Sequence, residues 1–247
     1  MEKSKEEYCL DYLLDNFDNA EFYGCEKSSI RNIIISAKRN KEPQKFPDFL
    51  LPNGFIEHFQ ITSSKTIRKG SKQEREMAQY LQGNERIIKN SVGDEDIIAF
   101  RSFTTQYPKH SRHYLLESLK KEWDNHIDHL NKYKGNKDLS IFMLQYNDAC
   151  LQICENIPKE DSHIICKERP QQQYDFYSLV RDFEALDFVC QFSDKIDYIV
   201  YVTKEHIEII RLDKIKSIKE EIPYGFSAVY SPIIRVDHYT YFNNGEN

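Results

Sequence analysis

The sequence lacks any long apolar run; its uninterrupted hydrophobic stretches, such as Ile33-Ile34-Ile35, are only a few residues long. Crossing a bilayer as a helix takes about 20 such residues, so no membrane partner is expected. Cysteine is scarce, with six in 247 residues, too few for a disulfide scaffold, and reduced thiols follow. The first residues, MEKSKEEYCLDYLL, are charged and carry no leader pattern, which makes a cytoplasmic location the expectation. No G-x-S-x-G, P-loop or G-x-G-x-x-G pattern occurs, which argues against a serine hydrolase, a P-loop NTPase and a Rossmann dehydrogenase. Internal repeats and obvious linkers are absent too.

What is present is a chain long enough for a sizeable core, read as a single domain over 1–247. Residues 1–40 could form an N-terminal helical element and 243–247 a frayed tail. Apolar residues at helical spacing predict a helix over 6–17, with Ser4 able to cap it. Ile30 to Lys38 reads as helical or mixed. A capping box at Ser71 and Glu74 opens a helix to about Leu81, with Gly83-Asn84 ending it. The stripe Leu116, Leu119, Trp123, Ile127 and Leu130 marks a long helix over 111–133. Tyr174 to Phe192 reads as another. Leu139–Tyr146 is a buried strand, 97–103 a further strand, and 196–203 with 206–212 a hairpin. Interspersed helices and hairpins predict an α+β (mixed α/β) class, with a central mixed sheet flanked by helices.

Charge is unevenly placed. The net charge is −6, yet residues 38–75 hold nine basic and four acidic residues, a surplus of five positive charges. Within that window lies FPDFLLPNGFIEHFQITSSK, residues 46–65. It reads as two strands, 46–51 and 55–62, joined at Pro52-Asn53-Gly54, where Asn-Gly suits a positive-φ turn. Asp48 begins the first strand and Glu57 lies in the middle of the second. Adjacent strands would bring the two carboxylates together as a seat for a hard divalent cation. The flanking basic residues are candidates for phosphate contact.

The order of helix, Pro47-Asp48 on a strand, a turn, Glu57 on the next strand, then a helix and a further strand resembles the restriction-endonuclease-like nuclease superfamily, PD-(D/E)XK. The resemblance implies a metal-dependent phosphodiesterase, DNA being a more expected substrate than RNA. Asp48 and Glu57 would hold Mg²⁺ or Mn²⁺, and Lys65, Arg68, Lys69 and Lys72 would contact the nucleic-acid backbone. A homodimer is compatible with it. The chain departs from the pattern at Phe59, where the superfamily has its lysine. Strand alternation sets Glu57, Phe59 and Ile61 on one face and His58, Gln60 and Thr62 on the other. Gln60 through a bulge, or Lys65 past the strand end, would then orient the attacking water, and Glu6 or Glu7 could complete the site. An inactive nuclease-like fold that binds nucleic acid or protein is the alternative, and an unrelated α+β fold the third reading.

Two other groupings are weaker. Cys150, Cys154, His163 and Cys166 are all zinc-ligand types, but buried free thiols are the favoured reading. His126 and His129 stand three apart on the long helix, beside its apolar stripe, and a polar helix face is favoured over a metal pair.

Overall fold

The computed structural model describes residues 3–42, 45–64, 72–91, 98–106, 110–148, 151–155, 172–174, 176–222, 228–230 and 235–243. In chain order the first elements are α1 (Lys5–Asp15), β1 (Glu21–Tyr23), α2 (Lys27–Ile35), β2 (Lys38–Arg39), β3 (Phe49–Leu51) and β4 (Gly54–Ile61). There follow α3 (Lys72–Ser91), β5 (Ile98–Gln106), α4 (Arg112–Lys132), β6 (Leu139–Tyr146), β7 (Gln152–Glu155) and β8 (Gln172–Tyr174). The last are α5 (Phe183–Cys190), β9 (Tyr198–Val202), β10 (Ile207–Arg211), α6 (Ile215–Glu221), β11 (Ala228–Tyr230) and β12 (Arg235–Asn243). They fall into two compact units: 1–63 with 111–230, and 64–110 with 231–247.

The first unit is built on a seven-stranded mixed sheet in the order β1-β10-β9-β6-β4-β3-β2. β4, β6 and β9 run parallel, while β2, β3 and β4 form an antiparallel meander and β9–β10 a hairpin. Parallel neighbours need a crossover, and α4 lies between β4 and β6 in the chain, as α5 does between β6 and β9. Helices flank the sheet, so its middle strands are apolar on both faces. Ile56, Ile141, Met143 and Val200 pack with Leu10 and Leu13 of α1 and Ile30 and Ile34 of α2. On the opposite face Phe55, Phe59, Phe142 and Leu144 pack with Leu116, Leu119, Trp123 and Ile127 of α4 and with Leu186 and Val189 of α5. A separate three-stranded sheet, β11-β7-β8, also belongs to this unit. The second unit holds α3 and the antiparallel pair β5–β12.

Side-chain caps start three of the helices. Ser4 and Glu7 close a capping box at α1, and Ser111 caps α4 by accepting from the Tyr114 N–H at 3.2 Å. The Ile33–Ile35 run is helical, in α2, because Ile30 and Ile34 one turn apart both reach the core. Three expected boundaries need correction. The strand expected over 46–51 begins only at Phe49, so Asp48 lies just ahead of β3. The helix expected over 174–192 begins only at Phe183: Asp182 caps it by accepting from Ala185 N–H. Before it, Tyr177, Leu179 and Val180 are buried in non-helical chain. The same Asp182 takes two 2.7 Å hydrogen bonds from the Arg112 guanidinium at the start of α4. The helix expected to stop at Gly83 runs on to Ser91. An interior glycine costs only about 1 kcal/mol relative to alanine, which a 20-residue helix absorbs.

Gly54 also has a different role from the one its Asn-Gly sequence suggests. It is already in β4, opposite Leu51, leaving Pro52-Asn53 as the turn. Its φ is not positive; a Cβ here would stand 1.8 Å from the Leu139 carbonyl oxygen. Glycine is needed for that close approach, where Leu139 N–H donates to Asn53 O at 3.0 Å.

Candidate metal centre

The pairing of β3 with β4 sets Phe49 against Ile56, so the next position outward sets Asp48 against Glu57. Side chains continue the ladder there. Asp48 N–H donates to Glu57 Oε2 at 3.0 Å, and His58 N–H donates to Asp48 Oδ2 at 3.0 Å. The two carboxylates are thus cross-braced. Burial, then the Glu57 charge beside it, push the Asp48 carboxyl up from 3.8 to about 7, against the opposing pull of the His58 N–H. Glu6 of α1 adds to that repulsion, while Arg39 offsets it and bonds Glu6 at 3.3 Å. Glu7 is turned to the Ser4 N–H instead.

Glu57 itself is 5% exposed and faces α4. Its Oε1 accepts from His126 Nδ1 at 2.7 Å. His129, one helical turn on, presents its ring 5.8 Å from that of His126, at 75°. One ligand atom each from Glu57, His126 and His129 can be chosen so that all three lie within 4.8 Å of one another. Phe59, on the same strand face as Glu57, is buried and stacks on His126 at 4.5 Å and 14°. Phe59 is therefore core packing that fixes an imidazole.

The other face of β4 is separate. The β4–β6 register runs without interruption from Gly54 to Ile61, so no bulge brings Gln60 round to Glu57. Gln60 Nε2 donates to Gln145 Oε1 at 2.8 Å, and His58 Nε2 lies 3.0 Å from the same oxygen. Burial holds the His58 imidazole below its usual 6.5, so it donates to Gln145 as a neutral ring. Gln145 also borders a cavity of about 410 Å³ with Tyr8, Asp11, Tyr12 and Lys204. Among the basic candidates, Lys65, Arg68 and Lys69 lie outside the described residues; Lys72 is the first residue of α3. Cys150, Cys154, His163 and Cys166 have no described side chains, so the four-ligand grouping stays with the sequence.

A second acid–histidine cluster lies at the far end of the sheet: Glu21, His206 and Glu208, on or beside β1 and β10. Glu208 is fully buried. Its Oε1 accepts from Ser178 Oγ and from His206 Nε2, the latter at 3.1 Å, and its Oε2 accepts from Val180 N–H at 3.0 Å. Phe176 stacks on the His206 ring at 4.2 Å.

Both clusters contain donor types able to hold a divalent cation. Mg²⁺ takes oxygen donors and keeps several waters, a demand that the Asp48–Glu57 pair meets in type. Of its four oxygens, three already accept hydrogen bonds, leaving Asp48 Oδ1 without one among the described residues. Including His126 and His129 makes the set nitrogen-rich. The sequence pointed to Glu57 but set the histidines aside, because a helix pattern cannot show the strand residue that meets it from 69 positions away. No helix among the described residues is long and apolar enough to cross a membrane. Comparison with protein-family models, curated proteins and solved structures finds no match to this chain.

Proposed function

We propose that this chain is a divalent-metal-dependent nuclease of restriction-endonuclease-like type, with Glu57 and Asp48 as metal ligands and DNA as the favoured substrate. The observation that carries this reading is the cross-braced carboxylate pair, Asp48 just ahead of β3 and Glu57 within β4, held by backbone N–H hydrogen bonds to each carboxylate. Two acids crowded together out of water lower their joint cost by sharing a cation. The antiparallel meander β2–β3–β4 supports the hairpin part of the resemblance; α3 and β5, which follow it in the chain, belong to the second unit, and α4 and the parallel β6 come after them. A bound Mg²⁺ or Mn²⁺ would polarise a phosphoryl oxygen and acidify a water for in-line attack.

The chain's own groups then have distinct parts. Glu57 is oriented by Asp48 N–H and His126, so its carboxylate cannot swing away. Lys65 orients the attacking water, since the Gln60 amide is held by Gln145. Lys65, Arg68, Lys69 and Lys72 contact backbone phosphates. The test is cleavage of DNA and RNA by the purified chain with Mg²⁺ or Mn²⁺, beside Glu57→Gln. Metal-dependent cleavage that falls at least about 100-fold in the variant is expected. No cleavage by the wild type, or equal cleavage by the variant, defeats the enzyme reading.

A second reading has its own support. With Phe59 buried where a lysine would serve catalysis, the same fold would bind nucleic acid or protein without cutting. Salt-sensitive DNA binding with no metal-dependent cleavage selects that reading.

A further inference from the structure

We infer that Glu57, His126 and His129 form a single site for a nitrogen-accepting transition-metal ion of the zinc class. The inference rests on the proposal that Glu57 is a metal ligand, and it changes which ion that ligand serves.

Three observations converge. The first is donor type: two imidazoles and one carboxylate suit Zn²⁺, Co²⁺, Ni²⁺ or Fe²⁺, whereas Mg²⁺ is held by carboxylates, carbonyls and water. The second is placement. An i, i+3 pair on a helix projects side by side. α4 packs on β4, so the pair meets the carboxylate of a strand. Ligands about 2.1 Å from a common ion, at angles of about 90–110°, lie about 3.0–3.4 Å apart. Glu57 Oε1 and His126 Nδ1 are 2.7 Å apart, so they need open by only a few tenths of an ångström. The hydrogen between them lies where the ion would sit; the ring would carry it on Nε2 instead, which frees the Nδ1 lone pair for the ion.

The third observation is support from a surrounding shell. The His126 ring is stacked on Phe59 at 4.5 Å and meets the Phe142 edge at 6.3 Å. The His129 ring meets Phe46 at 6.4 Å. The second oxygen of Glu57 is held by Asp48 N–H at 3.0 Å. Outer partners of this kind fix the rotamer of a ligand and raise metal affinity. His129 is exposed, which gives an ion a way in from solvent. Three protein ligands leave a position for water or an anionic oxygen, the pattern of catalytic zinc sites.

The probe is Co²⁺ added to the full chain after chelator dialysis, read by visible absorption and by calorimetry, with Zn²⁺ and Mg²⁺ as competitors. One Co²⁺ per chain is expected, displaced by Zn²⁺ and not by a 100-fold excess of Mg²⁺. Its spectrum should lack the near-ultraviolet thiolate band that a cysteine site would give. His129→Gln, at an exposed position, and His126→Gln should each weaken binding at least about tenfold. Unchanged binding in both variants, a thiolate band, or displacement by Mg²⁺ overturns the inference. Cleavage assays on the same samples read the nuclease proposal independently: Co²⁺ binding without cleavage retains this site and removes that activity.

Discussion

The two acid–histidine clusters use the same residue types and differ in what surrounds the acid. In one, Glu208 is fully buried, and its oxygens are engaged by Ser178, Val180 N–H and His206. In the other, Glu57 meets a second carboxylate from the neighbouring strand and two imidazoles from a helix, one of them exposed. The first arrangement is closed: its hydrogen bonds join the segment ahead of α5 to β10. The second keeps like charges together and leaves donors turned outward. A satisfied carboxylate braces a fold; a crowded one is suited to an ion.

Substitution should separate the two most sharply. Glu208→Ala leaves three buried donors without an acceptor and should cost about 3 kcal/mol in urea unfolding. Glu57→Ala should cost about 1 kcal/mol, because losing its hydrogen bonds is offset by relief of the repulsion on Asp48. Equal costs would remove the distinction between brace and site.

Stability should fall with rising pH on account of both clusters, in different windows. Asp48 has a folded value of about 7 against an ordinary 3.8, so between these the folded chain holds a proton that the unfolded chain has lost. Stability therefore declines as pH rises from about 4 to about 7, and Asp48→Asn should flatten that slope. At His206, burial lowers the imidazole value, but the hydrogen bond and charge of Glu208, with Glu21, outweigh it and leave it above 6.5. That contribution is complete below 6.5 and fades as pH climbs through the higher folded value, a loss that His206→Gln should abolish. Denaturant midpoints taken at half-unit pH steps would resolve the two; a divalent ion that binds at Glu57 should flatten the lower window alone. The smallest effect belongs to Gln60→Ala: an exposed amide on the other face of β4, it should change stability by less than about 0.5 kcal/mol and leave Co²⁺ binding as it was.

Periodicity and capping made much of this fold readable. The stripe on α4, the run of β6 and the β9–β10 hairpin carry their own local signals, and they fold where those signals place them. The sequence misled where tertiary packing overrode local pattern. Tyr177, Leu179 and Val180 have helical spacing but are buried in irregular chain, while Asp182 spends its side chain on Arg112, Tyr177 and the α5 cap. β1 is three residues long and exists through its pairing with β10, so it leaves no local trace. At the site, Asp48 and Glu57 were legible because hairpin pairing is local. His126 and His129 were not, because only the packing of α4 on β4 brings them to Glu57. The one available hint was their position beside an apolar stripe.

The seam at Gly54 has a consequence for how this hairpin could change. With no space for even a methyl group against Leu139, the start of β4 is pinned to the start of β6 at a fixed height. Glu57 lies three residues downstream, about 10 Å along the strand, and so inherits its level beside α4 from that bare backbone crossing. Lengthening the Pro52-Asn53 turn would slide Asp48 along its neighbour while Glu57 stayed put. The two halves of the acid pair therefore answer to different anchors, and a single inserted residue would part them.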